Sequence, residues 1–169
     1  MKAIVCTKYG SPDVLRLEEV DKPVPREGEL LLKVRAASVN AYDWRHVRAD
    51  PFLIRLMGAG LFKPKHRILG ADVAGEVEAV GREVQRFKPG AAVFGEGGYG
   101  AFAEYVCVAE KRCVPKPAGL TFEEAAAAPM AALTALQGLR DEGHIRAGQK
   151  VLINGASGGV GTFAVQIAK

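Results

Sequence analysis

The sequence predicts an α+β chain: a small antiparallel β-barrel over residues 1–120, then two helices and the opening strand, turn and helix of an α/β unit over 121–169. Three observations carry this reading. Strand-length apolar runs follow one another from residue 3 to residue 116, separated by Gly, Pro and Asp turns, with one helical excursion among them. Thr121-Phe122-Glu123-Glu124 then has the spacing of a capping box, and Pro129 lies just beyond it. A β-branched run at 151–154 breaks into Gly155, Gly158, Gly159 and Gly161 ahead of a helical pattern.

The elements follow in order. Residues 3–8 alternate weakly, Gly10-Ser11-Pro12-Asp13 has turn chemistry, and 14–20 return as a strand, so a hairpin opens the chain. Pro23, Pro25 and Gly28 close that unit, and the Leu/Val-rich run 29–39 belongs in a sheet interior. Residues 41–61, with Trp44, Phe52 and Met57 among basic side chains, are the helical or irregular excursion. The strand pattern resumes over 68–81, where spaced glycines imply a bulged or twisted corner. Short strands are expected at 91–94, 101–108 and 112–116, with a flexible loop at 95–100. A helix starts at Thr121, Pro129 breaks or kinks it, and a second helix covers 131–142. Residues 151–154 are expected as a strand, and 159–169 as a helix with Val160, Phe163, Ala164 and Ile167 along one face.

Composition narrows the function. With 169 residues, 49% hydrophobic and 25% charged, the chain has the apolar content to close a core and is not disordered. No apolar run reaches the roughly 18 residues of a membrane-spanning helix, and residues 1–5 lack the basic start of a signal segment. A cytoplasmic location without a membrane partner is the expectation. The net charge of +4 comes from basic residues mixed among acidic ones, which reads as a solvated face rather than a nucleic-acid site. Cys6, Cys107 and Cys113 are too few and too far apart for a disulfide framework, and read as small buried or half-buried side chains. His46, His66 and His144 lack metal spacing and are read as surface or structural.

The glycine-rich turn carries the most chemistry. Glycines let the backbone bend sharply and approach a ligand, while free N–H groups and the dipole at a helix start favour a pyrophosphate. Aligned to GxGxxG, the spacing places Ala156, Gly158 and Gly161, with alanine in the first glycine's place, and brings Ser157, Gly159 and Val160 into the same dinucleotide site. A P-loop fails the comparison because Val160-Gly161-Thr162 lacks the lysine that must reach the terminal phosphates. Without further context, Asn40 reads as a turn residue ending a strand and Asp43 as an N-cap.

The stretches SVNAYDWR at 38–45, ILGADVAGEVEAVG at 68–81, TFEEAAAAPMAALTAL at 121–136 and VLINGASGGVGTFAVQIAK at 151–169 together resemble the medium-chain dehydrogenase/reductase superfamily. The likeness is greatest to its zinc-free quinone oxidoreductase branch. The resemblance implies a GroES-like catalytic domain, here residues 1–120, followed by the start of a Rossmann domain, here incomplete over 121–169. It further implies NAD(P)H in the cleft between the two, NADPH being favoured and NADH not excluded, a quinone or enone substrate, and a homodimer when the protein is complete. The 169-residue chain alone is expected to be inactive.

The resemblance also bears on zinc. Zinc-dependent members carry ligands in CxxD and GHE motifs, and the matching stretches here are Asn40-Ala41-Tyr42-Asp43 and Gly70-Ala71-Asp72, with the third ligand position near Met130. An amide, a methyl group and a thioether make a poor Zn(II) set, so no metal is expected and hydride would pass to an already electron-poor quinone or enone. In zinc-free members the residues at Asn40 and Asp43 line the active site and the one at Thr134 meets the nicotinamide, consistent with a reaction that needs orientation more than acid–base chemistry. The competing reading is a non-catalytic binding or scaffolding protein that keeps the dehydrogenase fold.

Overall fold

Apolar runs separated by turn residues become seven strands in the computed structural model, which describes residues 1–169. β1 (Lys2–Cys6) and β2 (Leu15–Glu19) form the expected hairpin, with Lys2 opposite Glu19. The other five are β3 (Glu29–Ala37), β4 (Asp72–Val80), β5 (Ala92–Glu96), β6 (Tyr105–Ala109) and β7 (Cys113–Pro115). They pair antiparallel in the order β6-β3-β4-β5-β7, and isolated bridges Ala3–Ala103 and Val5–Ile68 stitch the hairpin to this sheet's connections.

The core explains why the long strands are apolar on both faces. Leu30, Leu32, Val73, Val77, Val93 and Val108 are all at most 2% exposed and share one cluster. On the opposite face Ala74 meets Ala125 and Ala126 of α2 (Phe122–Ala126), with Ala36, Phe94 and Phe122 around them. The expected corner lies in the β3–β4 pairing, whose register slips between Leu31 and Leu32 and again between Val34 and Ala36. Gly75 sits at the second slip, where any Cβ would collide with the Lys33 carbonyl oxygen. All three cysteines are free, Cys6 and Cys113 buried and Cys107 half-buried.

The excursion at 41–61 resolves into α1 (Ala41–Arg48) and a π-helical turn, Arg55–Ala59, interrupted by Gly58 at φ 116°. The Thr121 capping box forms as read: Glu124 N–H donates to Thr121 Oγ1 (3.1 Å) and Thr121 N–H to Glu124 Oε2 (2.8 Å). Pro129 does break the helix, but it also begins α3 (Pro129–Leu136), occupying a first-turn position where a missing N–H costs nothing. The second helix therefore starts two residues before its expected place and gives way to a wider π turn at Gln137–Glu142. α4 (Gly159–Ala168) matches its expected span and packs on α3. Its buried positions are Gly161 and Ala164, however, while Val160 and Ile167 of the expected stripe stay 41% and 38% exposed, because α3 covers only one side of it.

One expected strand is absent. Residues 151–154 have no ladder partner, and Leu152 is 96% exposed. A strand is completed by its neighbours' hydrogen bonds, and none of the seven strands runs beside this segment. Hydrogen-exchange mass spectrometry of the 169-residue chain should therefore find the fastest amides at 149–158 and the slowest in β3 and β4. Protection of 151–154 matching that of β4 would contradict the assignment.

Candidate functional site

β3 ends at Ala37, and three residues later Asn40 caps α1 with extended backbone angles (φ −110°, ψ 165°). Asp43, in the first turn, returns one carboxylate oxygen to this cap, accepting the Asn40 N–H at 2.8 Å. Its other oxygen accepts the Gly70 N–H at 3.0 Å. Asp43 is only 2% exposed, so it clamps the start of α1 to the bend before β4. Gly70 has φ +95°, and a Cβ there would stand 2.7 Å from the Phe102 ring, so only glycine fits the bend. Burial pushes the Asp43 carboxyl above its ordinary range, and the two N–H donors hold the rise back.

Beside this clamp Asp72, the first residue of β4, is fully buried. Its Oδ2 accepts from Ser38 Oγ (3.0 Å) and Asn40 Nδ2 (3.0 Å), and the Met130 N–H lies 3.1 and 3.2 Å from its two oxygens. Asn40 Nδ2 also donates to Ser38 Oγ at 3.0 Å. Burial raises this carboxyl too, against the opposing pull of Asn40, Met130 and Ser38. Asn40 and Met130 thus meet at one carboxylate, the first through its amide and the second through its backbone N–H, and Ala71, the residue before it, is fully buried.

From Met130, α3 leads to the expected cofactor residues. Thr134 lies one turn on, exposed, with Oγ1 donating to the Met130 carbonyl at 2.6 Å. Across the α3–α4 contact, Ala156, Ser157, Gly158, Gly159 and Val160 are all exposed at the start of α4. Gly161 is buried: a Cβ on it would strike the Gly155 carbonyl oxygen and stand 2.7 Å from Ala156 Cα, so the turn closes only around glycine. The Gly158 N–H is taken by Gly155 O (3.0 Å) and the Thr162 N–H by Gly158 O (2.9 Å). That leaves the N–H groups of Gly159, Val160 and Gly161 directed out of the helix end, which suits a pyrophosphate. No hydrogen bond joins this turn to Asn40, Asp43 or Asp72, and α3 alone connects them.

Two features were missed in the sequence. Asp72 was noticed only as a departure from a motif, although a lone acid between Ala71 and Val73 in an apolar strand is itself a signal of a satisfied buried charge. His46 and His66, read as surface or structural, are half-buried and flank Tyr99 with Tyr42 beside them, and nothing local in sequence announces that meeting.

Comparison with known proteins places this geometry in context. Residues 26–118 match the model of the alcohol dehydrogenase GroES-like domain. The whole chain aligns at 39% identity with 44% of a 2-methylene-furan-3-one reductase from Solanum lycopersicum. Among solved structures, the quinone oxidoreductase of Coxiella burnetii superposes with a TM-score of 0.87 at 36% identity, over 99% of this chain and 53% of that one. A mycobacterial protein solved with NADPH superposes with a TM-score of 0.85 at 31% identity, over 98% of this chain and 49% of that one. The chain spans about half the length of the curated relatives it matches. No helix is long and apolar enough to cross a membrane.

The raised Asp72 carboxyl has a measurable sign. The folded chain holds this proton to higher pH than the unfolded chain does, so the carboxyl's contribution to stability is present below the ordinary Asp value of about 3.9 and lost as pH rises through the folded value. Urea titrations of wild type and Asp72→Asn from pH 4 to 7 should show the wild type losing more stability than the variant over that interval. Equal or opposite slopes would mean that the carboxyl is not raised.

Proposed function

We propose that this chain, which belongs to the alcohol dehydrogenase GroES-like family of medium-chain dehydrogenases/reductases, forms the catalytic domain and opening Rossmann elements of an NAD(P)H-dependent enzyme reducing a quinone or enone without zinc. The observation that carries this reading is the environment of Asp72: at the three positions where zinc-dependent members supply ligands, this chain has Asn40 and the Met130 N–H bonded to a carboxylate, and the alkyl side chain of Ala71. The donor set suits a fixed polar scaffold and does not suit Zn(II).

Residues 1–120 would supply the substrate side and 121–169 the nucleotide side. The N–H groups of Gly159, Val160 and Gly161 would hold the pyrophosphate, with Ala156, Ser157 and Gly158 lining its approach. Thr134, one turn from Met130, would meet the nicotinamide end. NADPH is the favoured cofactor, as in the mycobacterial neighbour, and when bound it would supply the hydride. Asn40, whose two amide hydrogens are given to Asp72 and Ser38, would border the substrate and order the polar wall beside it. Asp43, both of whose oxygens are engaged by backbone N–H groups, would act by holding that wall in place. Such positioning lowers the barrier because the reacting carbon must lie within van der Waals reach of the donor carbon.

In the full-length protein, Asn40→Ala and Thr134→Ala should each lower kcat/KM for quinone reduction by about tenfold or more while leaving the thermal midpoint within a few degrees of wild type. Wild-type kinetics in both variants would refute the assignment. Elemental analysis of the purified protein should find far less than one zinc per chain, and a stoichiometric content would overturn the zinc-free reading.

A further inference from the structure

On the other side of α1 lies a groove of about 390 Å³, lined by Tyr42, Arg45, His46, Ile54, Met57 and Tyr99. None of these side chains serves the Asp72 cluster. Ile54 and Met57 give it an apolar lining, Tyr42, His46 and Tyr99 give it three hydrogen-bonding rings, and Arg45 is its one arginine. The rings are held in a fixed order. His46 Nδ1 lies 2.7 Å from the Tyr42 carbonyl, which can only accept, so Nδ1 carries hydrogen. His46 Nε2 lies 3.2 Å from Tyr99 Oη. Tyr99 is itself braced by His66, stacked flat on it at 3.8 Å between centroids and 8° between planes. The loop bearing Tyr99 bends through Gly98 and Gly100, both at positive φ, and a Cβ on Gly100 would stand 2.9 Å from Val106.

We propose that Tyr99, bonded to His46, is the proton donor of this site, and that the groove fits the protein for α,β-unsaturated carbonyl compounds. The inference rests on the hydride-transfer reading above. A hydride added to the β-carbon of an enone forms a C–H bond, shifts the C=C electrons toward the carbonyl and leaves an enolate oxygen. The nicotinamide is oxidised and the enone reduced by the same two electrons. The enolate is a strong base, and its oxygen takes the hydrogen of Tyr99 Oη. The Tyr99 oxygen then takes a proton from water in the groove, while His46, its Nδ1 hydrogen given to the Tyr42 carbonyl, holds that oxygen in place through Nε2. The Tyr99 hydroxyl turns about its C–O bond, so its hydrogen can point to His46 Nε2 or into the groove. Burial, and then Tyr99 beside it, pushes the Tyr42 phenol well above the ordinary range, so Tyr42 keeps its proton. A quinone places a smaller demand on the donor, because its reduction leaves a stabilised aryloxide.

The discriminating quantity is the ratio of enone to quinone turnover. In the full-length protein, with NADPH and either 2-cyclohexen-1-one or 1,4-benzoquinone, Tyr99→Phe should lower kcat for the enone about 100-fold, a typical loss for one proton donor, with KM changed far less. The fall for the quinone should be at least about tenfold smaller, and His46→Gln should shift the ratio the same way. An unchanged enone rate, or equal losses on both substrates, would overturn the proposal, the second outcome marking Tyr99 as merely structural. Wild-type turnover of the quinone but not of the enone would also overturn it. If Tyr99→Phe fails to fold, His46→Gln decides by the same ratio. Absence of wild-type NADPH oxidation with both substrates would instead refute the hydride-transfer reading and remove this inference with it.

Discussion

The buried carboxylate of Asp72 is the constraint on which the arrangement of the site depends. A carboxylate without solvent is costly unless donors surround it, and each buried polar group left unpaired costs about 1–3 kcal/mol. Its donors come from distant parts of the chain: Ser38 and Asn40 after β3, and Met130 at the start of α3. Satisfying the charge therefore forces the end of one strand, the beginning of another and the first turn of a helix to converge. The same acid that would be a liability in an apolar strand becomes the reason that Asn40 has a single orientation.

The elements around Asp72 are shaped to deliver those donors. Thr121 and Glu124 cap α2, and Ala125 and Ala126 let it lie close against Ala74. Pro129 then starts α3 without needing a hydrogen-bond acceptor for its own nitrogen, leaving the next residue, Met130, with the N–H that reaches Asp72. A side chain at Met130 has little part in this contact, since the bond is made by backbone. The same helix carries Thr134 on the exposed side and packs against α4, so the position of the glycine turn relative to the carboxylate is set by one short rigid element.

What the sequence made legible is what local chemistry decides. The opening hairpin, the Thr121 box, the break at Pro129 and the glycine turn before α4 follow from nearest neighbours and could be read directly. The segment 151–154 has the composition of a strand, but strand formation depends on neighbours that composition cannot specify. Asn40 and Asp43 were named as site residues through a family likeness. Local reading alone gave a turn residue for Asn40 and an N-cap for Asp43, whereas Asn40 is itself the N-cap of α1 and Asp43, at the third helical position, closes the capping box. Asp72 and the Tyr99 cluster are not legible locally because their meaning comes from partners 32 to 58 residues away.

The helical period joins the two polar systems that flank α1. Asp43 and Val47, four residues apart, face inward and are buried, while Tyr42 and His46, also four apart, face the groove half-buried. Trp44 and Arg48 take the outer side, and Arg45 borders the groove. An eight-residue helix is too short to hold its own orientation, so its rotation about the axis is decided by whatever grips it. Asp43 is that grip, since its two oxygens bind the helix's own first turn and the Gly70 bend at once. Any rotation that relaxed those bonds would also swing His46 away from Tyr99. The placement of the groove's rings is thus a consequence of the same buried acid chemistry that fixes Asn40, and the two sides of the site are set by one helix turned to one angle.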